Sequence, residues 1–325
     1  MPQECWHVPG HCGSARRLLI RPGAIGDFLV SLPAMQCLRA GYTELWAASR
    51  NLSLARFASR TRSIPATGLD LLGLPGVAPP AGLIGELRTF DSIVSWYGSA
   101  RPDLQQAVLD LGLPFHFLPA LPETGLPLHA SDFYMQQASA IAGRTAEAIP
   151  RLDCPHGDED FIAIHPFSGS PRKNWPLERY RQLAELLHPH LPVKWILEPG
   201  APPLGAGETE PPTEDLYRLA CRLACARLYI GNDSGITHLA AAAGTRVLAL
   251  FGPTDPARWA PRGENVEVLS AESIESISLE RAATVALACL ARPWHPVVST
   301  SSCPLLLARD LSGFTMLPSL KFFFS

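Results

Sequence analysis

Short apolar runs alternate with amphipathic stretches along most of this chain. Residues 17–21 (Arg-Leu-Leu-Ile-Arg) form a run that ends in Pro-Gly-Ala, the pattern of a buried strand entering a tight loop, with a helix expected from about Asp27. Strand-like runs recur at 44–48, 92–97 and 115–118, with an amphipathic helical stretch at 103–111 between them. Such alternation predicts parallel βαβ units. The pattern lapses over 143–160, which carries Pro150, Pro155 and several charges, and resumes with a strand at 161–164. That lapse is the expected boundary between two domains.

The second half repeats the scheme, with helices expected at 177–187, 214–226 and 237–243 and strands at 193–197, 227–230 and 246–251. Two open parallel sheets place ligands in a cleft outside the carboxyl ends of their strands. The expected architecture is therefore α/β, with two Rossmann-like halves facing each other: an N-terminal domain over 1–150, a C-terminal domain over 158–292 and an irregular Pro/Ser-rich tail over 293–325.

Composition narrows the class. Hydrophobic residues make up 47% and charged residues 18% of the 325 positions, values of an ordinary folded protein. With 27 basic and 30 acidic residues the formal charge is −3, so no nucleic-acid partner is expected and an anion must be bound locally. No window matches the roughly 18 uncharged apolar residues of a membrane-spanning helix, and the first residues do not read as a secretion signal. A cytoplasmic protein with at most peripheral contact at the inner face of a membrane is expected. The eight cysteines are scattered, which suggests reduced thiols. Cys5, His7, His11 and Cys12 could in principle ligate zinc, but adjacent residues such as His11 and Cys12 rarely share one tetrahedral ion. No metal site is expected.

The residues with chemical potential fall at strand ends. In Arg21-Pro-Gly-Ala-Ile-Gly-Asp27, two glycines let backbone approach a ligand and Asp27 is placed either to cap the next helix or to act as a base. The segment 165–176 (His-Pro-Phe-Ser-Gly-Ser-Pro-Arg-Lys-Asn-Trp-Pro) offers Ser168, Gly169 and Lys173 to a diphosphate, or is an ordinary loop with a surface lysine and Trp175 as a packing anchor. Ile230-Gly-Asn-Asp-Ser-Gly-Ile-Thr-His238 turns sharply into a helix whose N-terminus favours an anion; Asp233, Ser234, Gly235 and His238 lie there. Glu198, after the strand at 193–197, is placed to accept from ribose hydroxyls, and Thr254 in Gly-Pro-Thr-Asp255 either touches a sugar or shapes its loop.

Three blocks together resemble glycosyltransferase family 9, the ADP-heptose:lipopolysaccharide heptosyltransferases: IRPGAIGDFLVSLPAM, HPFSGSPRKNWPLERYRQLAELL and YIGNDSGITHLAAAAGTRVLALFGPTDPARWAP, spread over residues 16 to about 290. The resemblance implies a GT-B fold and a metal-independent, inverting transfer, with no cofactor, from a nucleotide-activated heptose to a hydroxyl of the lipopolysaccharide inner core. It implies Asp27 as general base. Ser168, Gly169, Lys173, Ser234, Gly235 and His238 would hold the donor phosphates, and Asp233 would sit near the sugar hydroxyls. A different nucleotide sugar as donor, or a noncatalytic module that binds one, are the competing expectations. The Pro/Gly/Glu-rich stretch 201–212 and the ending after Arg292 depart from the family pattern.

Overall fold

Where the sequence is apolar on consecutive positions, strands form that are buried on both faces, as parallel sheets demand. The computed structural model describes residues 15–123, 127–155, 157, 159–197, 204 and 207–293. Its first sheet is built from β1 (Arg16–Arg21), β2 (Tyr42–Ala47), β3 (Arg60–Ser63), β4 (Ser92–Ser95) and β5 (Phe115–Phe117) in the order β3-β2-β1-β4-β5. The second comprises β6 (Ile162–His165), β7 (Val193–Trp195), β8 (Glu208–Thr209), β9 (Leu228–Asn232), β10 (Val247–Phe251) and β11 (Val266–Ser270) in the order β11-β10-β9-β6-β7-β8. Every pairing in both sheets is parallel. Glu198, the Cys5–Cys12 cluster and the tail from 294 lie outside the described residues.

The strand orders reverse at β1 and β4 in one sheet and at β9 and β6 in the other. Each reversal opens a crevice at the carboxyl ends of the strands. The loops that leave β1, β6, β9 and β10 carry the motifs singled out above.

Helix α1 (Ile25–Cys37) begins two residues before Asp27, and all but four of its thirteen side chains are buried. A helix apolar on nearly every side must be covered on nearly every side. It is: α1 packs against α4 (Ala130–Ala142) and against α7 (Gly235–Ala242) of the second half. One apolar cluster therefore runs from Leu19, Phe28 and Met35 to Leu239, Ala240 and Phe251.

The remaining helices are α2 (Leu83–Leu87), α3 (Pro102–Asp110), α5 (Leu177–Leu187), α6 (Leu216–Ala224), α8 (Pro256–Trp259) and α9 (Leu279–Ala291). In α5 the positions Tyr180, Leu183, Ala184 and Leu187 are buried, at the 3–4 spacing that the sequence shows. Asp215 caps α6, accepting from Tyr217 N at 2.9 Å and Arg218 N at 3.2 Å. The periodicity does not single out β3, β11, α2, α4 or α9. The stretch 143–160 between the sheets is anchored rather than loose: Ala148 and Cys154 are buried and Leu152 N donates to Ala242 O at 2.7 Å. Cys37, Cys154, Cys221, Cys225 and Cys289 are free thiols. No helix among the described residues is long and apolar enough to cross a membrane.

Candidate active site

The helix N-termini of α1 and α7 meet where the two crevices face each other. Their approach depends on glycine: a Cβ on Gly235 would lie 2.7 Å from Ile25 Cβ and 3.1 Å from Gly26 N. Gly23 has φ +112°, and a Cβ there would meet Asp27 Cβ at 2.9 Å. The turn after β1 thus brings backbone against the Asp27 side chain. Asp27 occupies the third position of α1, with Oδ2 accepting the Ala24 N–H at 3.1 Å. The N-cap of α1 is Ala24, so Asp27 closes the helix start from the third position rather than as the cap itself, and its side chain lines the cleft.

Around this junction lie two connected spaces. A cavity of about 350 Å³ is lined by Asp27, Gly169, Lys173, Asp233, His238 and Thr254, with Ser234 and Gly235 in its wall. A neighbouring one of about 600 Å³ is lined by Arg50, Asn51, His165, Phe167, Ser168 and Gly169, and shares Gly26 and Ser234 with the first. Seven of the candidate residues besides Asp27 and Ser168 therefore converge on the smaller cavity, and Ser168 lines the larger.

Lys173 Nζ stands 2.7 Å from Asp233 Oδ2, with the Asp233 side chain buried and that of Lys173 about one-third exposed. The pair links the 165–176 loop to the β9–α7 turn and puts a cation and an anion within reach of one ligand. Ser168 donates to Asn174 Oδ1 at 2.7 Å and to Ser170 O at 2.9 Å, which fixes the loop. Ser234 caps α7, its Oγ accepting from Thr237 N at 3.4 Å. The uncapped N–H groups of that helix carry roughly half a positive charge toward the cavity.

His238 is buried, and burial pushes its imidazole down to about 4, with Asp233 and Asp27 pulling upward and His129 and Lys173 pulling downward. It is neutral at pH 7. His129, whose own value burial also lowers, caps α4: Nδ1 accepts the Ser131 N–H at 3.1 Å and Nε2 donates to Ala260 O at 2.9 Å.

Several residues that hold the site are not among the sequence candidates. Asn232, fully buried, accepts from Trp175 N at 3.0 Å and Tyr180 Oη at 2.9 Å and donates to Pro166 O at 2.7 Å. It locks the two ligand-facing loops of the second half together. Arg21, also buried, donates to Asp27 O at 2.9 Å, Ser31 Oγ at 2.8 Å and Tyr134 Oη at 3.1 Å, so it steadies the first turn of α1 through backbone. The signal for both was a polar residue inside an otherwise buried strand end.

The chain is similar to known proteins in part of its sequence and in its fold. Residues 211–288 match the model of glycosyltransferase family 9 (heptosyltransferase). The chain is 29% identical to lipopolysaccharide heptosyltransferase 3 of Escherichia coli over 154 residues, 43% of this chain and 45% of that protein. It is also 29% identical to the lipopolysaccharide core heptosyltransferase OpsX of Haemophilus influenzae over 170 residues, 44% of this chain and 48% of that protein. These matches span about half the length of either relative. Among solved structures, E. coli ADP-heptose lipopolysaccharide heptosyltransferase II superposes with a TM-score of 0.64 at 19% identity, covering 85% of this chain and 98% of that one. A family 9 glycosyltransferase from Veillonella parvula gives 0.66 at 16% identity over 85% and 97%. E. coli heptosyltransferase WaaC with ADP gives 0.63 at 17% identity over 84% and 99%. The chain shares with these structures the GT-B fold of two parallel-sheet halves.

Proposed function

We propose that this protein is a heptosyltransferase that moves a heptose from ADP-heptose to a hydroxyl of the lipopolysaccharide core, by a single inverting displacement. The observation that carries the reading is the convergence of Asp27, Lys173, Asp233, His238 and the α7 N-terminus on one cavity between two parallel-sheet halves. The names of the relatives, which include a heptosyltransferase solved with ADP, support the donor class.

In this reading the first half, 1–150, presents the acceptor and the second, 158–292, holds the donor. Asp27 takes the proton of the acceptor hydroxyl as its oxygen attacks the anomeric carbon, and the diphosphate leaves on the opposite face. Charge that develops on the departing phosphate meets Lys173 and the N–H groups at the start of α7. Lys173 is paired with Asp233. A bound phosphate competes for that cation and frees the Asp233 oxygens to accept from sugar hydroxyls, with Thr254 beside them. Neutral His238 lends a hydrogen-bonding group without adding charge. Ser168 and Gly169 belong to the phosphate wall, Ser234 and Gly235 to the helix start. The acceptor is met at the inner face of a membrane through peripheral contact.

Calorimetric titration of the protein with ADP-heptose, GDP-mannose and UDP-glucose tests this. Binding of ADP-heptose well above the other two is expected, and Lys173→Ala should weaken it ten- to hundredfold, on the order of a lost charge-assisted hydrogen bond. Preference for a GDP or UDP sugar would move the protein to another donor, and absence of binding to all three would overturn the reading.

A further inference from the structure

The Asp27 cavity is not polar throughout. Leu121 from the first half and Trp259 from the second line it together with the charged groups, and Leu121 is 62% exposed. Both are held in place. Trp259 ends α8, a single turn started by Pro256 and capped by Asp255, whose Oδ1 accepts the Ala257 N–H at 2.9 Å. The adjacent Arg258 donates to Pro122 O at 2.5 Å and Glu123 O at 2.8 Å, immediately beyond Leu121. Its guanidinium carbon also lies 5.7 Å from the Trp259 ring centroid. Four residues after Arg258, Arg262 forms a two-pronged ion pair with Asp132 at 2.6 and 2.5 Å, and between the two arginines Ala260 O takes the His129 hydrogen bond. The segment 255–262 is thus tied to 122–132 of the other half at three points, and the indole and the leucine are fixed on the same rim.

A pyranose has a polar edge of hydroxyls and a ring face of C–H bonds. The hydroxyls need partners such as Asp233 and Thr254. The C–H face needs an apolar, polarisable surface, and the electron-rich face of an indole supplies one. A nucleoside diphosphate without sugar has no such face to offer at this end.

Resting on the glycosyltransferase reading above, we infer that Trp259 is the platform on which the ring of the transferred sugar packs, with Leu121 closing the other side, and that this pair sets the preference for a nucleotide sugar over the bare nucleotide. Trp259 is then a specificity residue that touches substrate. The test is calorimetric titration of the wild type, Trp259→Phe and Trp259→Ala with ADP and with ADP-heptose. Trp259→Ala should weaken ADP-heptose binding about tenfold, in the range of a lost aromatic contact, while ADP binding stays unchanged. Trp259→Phe should remain within about threefold of wild type for both. Equal weakening of ADP and ADP-heptose in Trp259→Ala would show a purely structural tryptophan and overturn the inference, as would no change in either. In both of those cases wild-type binding leaves the glycosyltransferase reading standing. A wild type that binds neither compound would remove that reading and the inference with it.

Discussion

Asp27 could be picked out in the sequence because a carboxylate after two glycines at a strand end has few uses, and capping was the chief rival. In the structure one carboxylate oxygen closes the helix start and the side chain lines the cavity, the place that its proposed use as a base needs. His238 was legible by position, one turn into the helix, but its charge state was not, because burial by distant segments sets it. Its imidazole titrates near 4 in the folded chain against about 6.5 when unfolded. Between those values the unfolded chain takes up a proton that the folded chain refuses, so stability is fully present above about pH 6.5 and falls as the pH drops toward 4. Thermal unfolding of the wild type and His238→Asn across pH 7 to 4 checks this. The midpoint of the variant should decline less steeply, the remaining slope including a part from His129, whose value is lowered in the same direction. Parallel curves would contradict the assignment. Asn232 was passed over beside the more reactive-looking Asp233 and Ser234, since its three partners come from positions 52 to 66 residues away and no local pattern encodes them.

Elements with a strong period were read well and those defined by tertiary packing were not. The helix at Leu177–Leu187 has the expected bounds because its buried positions recur at helical spacing. β3 is a short strand of Arg-Thr-Arg-Ser with no apolar run, and it exists because β2 offers a free edge to pair with. α4 carries a mixed face whose purpose is visible only when α1 is seen beneath it. The contact between α1 and α7 is the element pair on which the site depends, and it is gated by one missing methyl group. Gly235→Ala would place that methyl 2.7 Å from Ile25 Cβ, so the helix starts must separate. Overpacking of this kind costs about 1–3 kcal/mol. A urea titration should show a lower midpoint for the variant, and ADP-heptose binding should weaken with it. An unchanged midpoint and unchanged binding would mean that the junction is looser than described.

At the scale of the whole molecule, the two-sheet architecture was legible because alternating strand and helix patterns occur twice with a polar lapse between them. The way the halves join was not. The sequence shows a boundary at 143–160, whereas one apolar cluster crosses from the first half to the second and the 255–262 segment is tied to 122–132 by side chains with no periodic signature. This joining is what sets Asp27, from one half, against Lys173, Asp233 and His238 of the other. The central claim is that Asp27 deprotonates an acceptor hydroxyl while the second half supplies the groups that hold the donor phosphates. Steady-state transfer from ADP-heptose to lipopolysaccharide core acceptor, measured together with ADP-heptose binding in the wild type and Asp27→Asn, tests it most directly. The account predicts turnover in the wild type, a loss of about 10²- to 10⁴-fold in kcat in the variant and donor affinity within a few fold. Undiminished kcat in Asp27→Asn would contradict it.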